Sequence, residues 1–189
     1  MSKIADLLFQ AKMLKEIPRS GFHFLGAGRE TVAEHCFSTA FIALVMTQME
    51  AGLDASRLIG MCLVHDLAEA RIGDLNTVNK IYVNADERKA LEDSLSDLAF
   101  GHVLTDLVRE FNENETREAK LARDADQLAL VVDLKALKDI GYRPPEKWLP
   151  PIIERLQTDI GKRMADEIMQ TEWDGWWLKN TLDIKNGTH

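Results

Sequence analysis

The chain has 189 residues, enough for one helical core and at most two small domains, and its 46% hydrophobic and 29% charged residues exclude disordered, collagen-like and low-complexity classes. With 31 acids against 23 bases and a formal charge of -8, it would repel polymeric nucleic acid. Cys36 and Cys62 lie in apolar helical sequence without a C-x-x-C spacing, which speaks against a disulfide framework or a thiolate zinc site and fits a reducing cytoplasm. Asp6 stands where the apolar core of a signal peptide would begin, and the longest apolar run, 40–46, is far below the roughly 20 residues of a membrane helix. A soluble cytoplasmic protein is expected, with no membrane partner.

Apolar residues recur at helical spacing almost throughout, and no alternating run is flanked by hairpin chemistry, so the fold class is all-α. The first helix covers about 4–16 and stops at Pro18. The glycines of 19–28 imply a loop. Thr31-Val32-Ala33-Glu34 has the form of a capping box and starts a helix that runs to about Glu50. Asp54 caps the next helix, whose run 58–64 is apolar nearly all round and therefore central; Gly73 ends it. Further helices are predicted over 85–100, 103–112, 116–140 and 146–170. No repeat or linker divides them, so 1–189 reads as a single domain with its core over about 4–170. The remainder, 171–189, is a tail carrying Trp173, Trp176 and Trp177, a pattern that packs back on the body or onto a second subunit.

The central helix ends in Val64-His65-Asp66-Leu67-Ala68-Glu69, which sets titratable side chains at the end of a very apolar run. Burying them without partners costs free energy that a shared cation would offset. His65 and Glu69 are one turn apart, and Asp66 lies about 100° round the helix. His35 and Asp126 sit on other helices whose apolar faces must meet this one. Each residue taken alone reads more readily as a hydrogen-bonded core histidine or a solvated acid than as a metal ligand.

The ordered set His35, His65-Asp66, Asp126 resembles the H…HD…D signature of the HD-domain metal-dependent phosphohydrolases. Within that superfamily the chain is similar to the small HD proteins that include the 5′-deoxynucleotidases. The matching stretches are Pro18-Arg19-Ser20-Gly21-Phe22, Glu30-Thr31-Val32-Ala33-Glu34-His35, His65-Asp66-Leu67-Ala68-Glu69, Gly73-Asp74-Leu75 and 120–128. The resemblance implies an HD helical bundle in which His35, His65, Asp66 and Asp126 hold one divalent metal ion. Two imidazoles and two carboxylates admit Mn, Co, Fe, Ni or Zn. His23, His102 and His189 fall outside the pattern.

The same resemblance makes Glu69 and Asp74 the catalytic acids and Arg19 the phosphate ligand, a role that suits a guanidinium fork. Thr77 and Lys80 match a weaker stretch that adds donors to the phosphate. The chain departs from the deoxynucleotidase pattern at Ser20, where an aromatic is usual, and at Asn76 and Val78, where prolines are. Phe22 is the expected stacking surface instead. The expected function is hydrolysis of a phosphomonoester, a (deoxy)nucleoside 5′-monophosphate, by metal-activated water, in a homodimer. Three alternatives stay open: an HD hydrolase of a nucleoside triphosphate or guanosine tetraphosphate-like signal, a non-catalytic metal-dependent nucleotide-binding module, and a helical protein that uses the same residues as a buried polar network.

Overall fold

The computed structural model describes residues 3–178 and residue 181. The chain begins with α1 (Lys3–Met13), which ends ahead of Pro18 as expected, but the loop behind it contains a short helix, α2 (Gly21–Leu25), that the sequence did not signal. An antiparallel bridge between Pro18 and Thr31 closes this loop. The capping box then forms as predicted: the Thr31 hydroxyl accepts from the Glu34 N–H and the Glu34 carboxylate accepts from the Thr31 N–H, starting α3 (Val32–Met49). Asp54 caps α4 (Ala55–Val64) by accepting from the Arg57 N–H.

The predicted continuous helix from Asp54 to Gly73 is not continuous. After α4 the residues 65–68 tighten, with Leu67 N–H bonded to Val64 O and Glu69 N–H to Asp66 O, before α5 (Glu69–Ile72) resumes and stops at Gly73, where φ is 76°. Three-residue bonds narrow the turn and change which way successive side chains project. That local irregularity falls on His65, Asp66 and Glu69. A short α6 (Asn79–Tyr82) follows, then α7 (Glu87–Leu95), shorter than the expected 85–100, and α8 (Gly101–Glu113).

The long α9 (Arg117–Asp139) is capped by Thr116. The predicted helix over 146–170 is two, α10 (Pro145–Glu154) and α11 (Asp159–Gln170). The break is made by Asp124 on α9, whose carboxylate accepts from the N–H groups of Gln157 and Thr158 and from the Thr158 hydroxyl. Gly161 fits beside that carboxylate because a Cβ there would lie 2.3 Å from Asp124 Oδ2.

Helices α3, α4 and α9 pack mutually, with α8, α10 and α11 around them. Their shared core includes Met46, Leu58, Met61 and Leu128, each fully buried and each worth about 1.5–3 kcal/mol against exposure. On length and composition α3 would also pass for a membrane-crossing helix. Its packing between α4 and α9 accounts for the apolar inner side, while Phe37, Phe41 and Leu44 face outward on the other.

Candidate metal and phosphate site

Three helices, α3, α4 and α9, converge at the site. His35 sits one turn into α3 and is completely buried, because the capping box fixes that turn against Ile17 and Leu14 through the N–H groups of Val32 and Ala33. His65 closes α4, and its Nδ1 lies 3.0 Å from the Cys62 carbonyl, which leaves Nε2 facing inward. His35 Nε2 is 3.0 Å from Asp126 Oδ1 and 3.9 Å from Asp66 Oδ2, and His65 Nε2 is 3.2 Å from the same Asp66 oxygen. One ligand atom from each of His35, His65 and Asp126 lies within 4.8 Å of the others; Asp66 forms an overlapping group with His65 and Cys36. The four sequence-predicted ligands are thus brought to one place, with Asp66 turned toward Arg19 at 3.4 Å.

Among the described residues three buried polar atoms here have no hydrogen bond of good geometry: His35 Nδ1, Glu69 Oε2, and His65 Nε2, whose approach to Asp66 is an ion-pair distance only. Buried polar groups are nearly always paired, so an unpaired set grouped around inward-facing imidazoles is the signature of a site built for a ligand. Two imidazoles and two carboxylates are borderline donors of the kind that first-row divalent cations take. His23 and His102 are exposed and away from this cluster, and His189 lies outside the described residues.

Charge is tuned accordingly. Burial by itself would raise Asp66, but His65, His35 and Arg19 hold its carboxyl below the usual range. Asp126 is likewise held low against burial, chiefly by His35. Glu69 goes the other way: burial, with the Asp66 and Asp74 carboxylates beside it, pushes it up to about 9. Burial also pushes Glu30 up to about 8, with Asp133 nearby and Arg19 opposing.

A cavity of about 570 Å³ opens from this cluster and is lined by Arg19, Phe22, Glu69, Asp74, Thr77 and Lys80, all of which the sequence had singled out. Arg19 is braced by acids at Glu30, Asp66 and Asp74 (3.9, 3.4 and 3.7 Å). Asp74 accepts from the Ser20 N–H through one oxygen while the other faces Arg19, so it ties the end of α5 to the Arg19 loop. The departures at Ser20 and Asn76 compensate each other, since the Ser20 hydroxyl accepts from both the backbone N–H and the side-chain amide of Asn76. An aromatic at 20 and a proline at 76 could make neither bond.

Phe22 is only 8% exposed and belongs mainly to the wall, where it packs with Leu25, Val131 and Leu134. Phe24, 57% exposed, and Trp148 are aromatic lining residues that sequence reasoning missed. It also missed Arg123, whose guanidinium lies 4.3 Å over the Phe111 ring, which in turn packs 4.7 Å from the His65 ring. The signal was present in its spacing: Arg123 is three residues before Asp126 and so on the same helix face. Trp148 arrives from α10, and nothing local marks it.

The profile of the HD domain family matches residues 11–169. The chain belongs to the HD domain family. It is an HD phosphohydrolase, and enzymes of this kind are metal-dependent, in keeping with the imidazole–carboxylate cluster. The 5′-deoxynucleotidase HDDC2 of Xenopus laevis is 28% identical over 137 residues, 69% of this chain and 67% of that protein. The zebrafish (Danio rerio) 5′-deoxynucleotidase HDDC2 is 26% identical over 150 residues, covering 76% of this chain and 74% of its own. The solved structure of a conserved hypothetical protein from Pyrococcus furiosus superposes with a TM-score of 0.74 at 28% identity, over 88% of this chain and 99% of that one. The HD phosphohydrolase thus spans about two thirds of the length of the Xenopus relative.

Proposed function

We propose that this HD phosphohydrolase cleaves a (deoxy)nucleoside 5′-monophosphate to nucleoside and inorganic phosphate, in the cytoplasm and as a homodimer. The observation that carries the reading is the set of unpaired buried atoms around His35, His65 and Asp126 opening into a cavity that holds Arg19 on one side and Phe24 and Trp148 as aromatic walls. His35, His65, Asp66 and Asp126 are the ligands of one divalent cation. Bound there, that cation supplies Lewis-acid charge for the phosphoryl group and lowers the pKa of water beside it. Two buried free thiols, Cys36 and Cys62, support a reducing compartment.

The chain's own residues do the rest. Arg19 forks onto the phosphate and fixes it in line, with Asp74 bracing the loop that carries it. Thr77 and Lys80, both exposed at the cavity rim, add a hydroxyl and an ammonium to the same anion. As water forms the new bond to phosphorus and the P–O5′ bond breaks, Glu69 gives its proton to the leaving 5′-oxygen and regains one from the attacking water. Its raised pKa suits this exchange, because burial keeps a proton on it at neutral pH. The aromatic walls receive the base by stacking.

Release of inorganic phosphate across a panel of nucleotides tests the reading. Deoxynucleoside and nucleoside 5′-monophosphates are expected to be hydrolysed, and a chelator is expected to stop turnover until Mn²⁺ or Co²⁺ is restored. Release from triphosphates or guanosine tetraphosphate alone would transfer the site to another substrate class. No release from any of them would leave a nucleotide-binding module.

A further inference from the structure

His35 and His65 both turn Nε2 toward the centre of the site, so in each ring the proton belongs on Nδ1. For His65 that proton has an acceptor, the Cys62 carbonyl at 3.0 Å. For His35 it has none within hydrogen-bond reach among the described residues, where Nδ1 is buried and unpaired. The group it faces is the carboxylate of Glu30, with Oε2 at 3.8 Å. The same oxygen is 3.9 Å from Arg19 Nε, and the Glu30 side chain is only 10% exposed. Its position is set by backbone, since the Arg19 N–H donates to Glu30 O and the Pro18–Thr31 bridge flanks that bond.

We infer that Glu30 is a positioning residue that holds the metal ligand His35 and the phosphate ligand Arg19 through one carboxylate. The inference rests on the roles proposed above for His35 and Arg19. Accepting from His35 Nδ1–H fixes the ring's tautomer and orientation and makes Nε2 a better donor; closing about 1 Å brings the pair to an ordinary hydrogen-bond length. Accepting from Arg19 Nε through the same oxygen leaves the terminal nitrogens of the guanidinium for phosphate, Nη1 being the one that also reaches Asp66 at 3.4 Å. One acid behind two functional cationic or cation-binding groups couples cation uptake to anion uptake.

The full chain and its Glu30→Ala and Glu30→Gln variants are compared in three measurements: chelator-buffered Co²⁺ titration followed by visible absorption, inhibition by inorganic phosphate, and long-range ¹H–¹⁵N spectra of the imidazoles. Glu30→Ala is expected to weaken Co²⁺ binding about 10–100-fold, the usual scale for an outer partner of a ligating histidine. Phosphate affinity falls with it, and His35 loses its preference for the Nδ1-protonated tautomer while His65 keeps its own. Glu30→Gln keeps an acceptor without the charge and falls between parent and Ala. Parent-like Co²⁺ affinity and tautomer in folded Glu30→Ala overturn the inference. Should the Ala variant fail to fold, Glu30→Gln decides in the same way, weakened Co²⁺ and phosphate binding supporting it and parent values overturning it. A parent that takes up no Co²⁺ defeats the metal reading itself, an outcome distinct from parent and variant binding equally.

Discussion

Two aspartates of α9, Asp124 and Asp126, are two residues apart, project to nearly opposite sides of the helix and have opposite fates. Asp124 is 1% exposed and fully engaged: three donors from the α10–α11 junction converge on it, and Gly161 leaves room for them. Asp126 reaches into a neighbourhood where His35 Nδ1, His65 Nε2 and Glu69 Oε2 lack hydrogen bonds among the described residues. A buried acid whose donors all come from the protein is scaffold, and one among unsatisfied neighbours belongs to a binding site. The difference lies in what surrounds the carboxylate, which the string Arg-Asp-Ala-Asp does not reveal.

Exchanging the two roles by mutation gives the largest contrast. Asp126→Ala is expected to abolish stoichiometric metal uptake and turnover while the protein stays folded. Asp124→Ala is expected to keep one metal per folded chain but to cost about 2–4 kcal/mol, the sum of a lost helix cap and strong hydrogen bonds to a charged acceptor. Elemental analysis and thermal unfolding on the two variants check this. Equal metal loss in both, or equal destabilisation, would dissolve the distinction.

The sequence made this cluster legible because order and spacing survive folding: His35, the His65-Asp66 pair and Asp126 lie on helices whose apolar faces had to meet. The caps at Thr31 and Asp54 were legible as well, since each acts on a donor three residues away. What escaped was decided by distant groups. The α10–α11 break depends on Asp124, more than thirty residues upstream of the junction it caps. The tightening at 65–68 and the arrival of Trp148 at the cavity likewise follow from packing rather than from local propensity. Ser20 and Asn76 read as two departures and turned out to be one bonded pair.

Glu69 sharpens the same comparison at smaller amplitude, because an unpaired functional acid should stabilise nothing. Glu69→Gln is expected to retain metal and fold and to lose about 10²-fold or more in turnover, the scale of a missing proton-transfer group. The pH dependence has a definite sign. A carboxyl raised from 4.5 to about 9 binds a proton in the native state that the unfolded chain has released, so the metal-free parent loses stability as pH rises through that window. Glu69→Gln lacks that loss. In metal-free protein its advantage over the parent should grow with pH to about 1–3 kcal/mol near pH 9, the cost of an unsatisfied buried group. Glu30, pushed up to about 8, keeps part of the slope in both proteins. Parallel stability curves for parent and variant would show that Glu69 is not strained by its surroundings.

The smallest expected effect concerns surfaces rather than the site. The tail begins clipped to α9: Lys135 Nζ donates to the Thr171 carbonyl and to Asp139, which accepts from the Trp173 N–H. Beyond that clip Trp173, Trp176 and Trp177 are 44%, 77% and 40% exposed, so the segment touches the body and still turns indole surface outward. A second apolar face lies on α3, where Phe37 and Phe41 stack with ring centres 6.2 Å apart and Leu44 continues the row. Apolar patches of this kind usually mark contact surfaces, and either would serve a homodimer. Light scattering on the intact chain and on a version ending at Thr171 separates them. We expect a dimeric mass for the first and a monomeric mass for the second, with turnover per chain changed by less than about twofold because no tail tryptophan lines the cavity. A dimer that survives truncation moves the interface to the α3 row, where Phe41→Lys should then dissolve it, and a monomeric intact chain ends the homodimer reading.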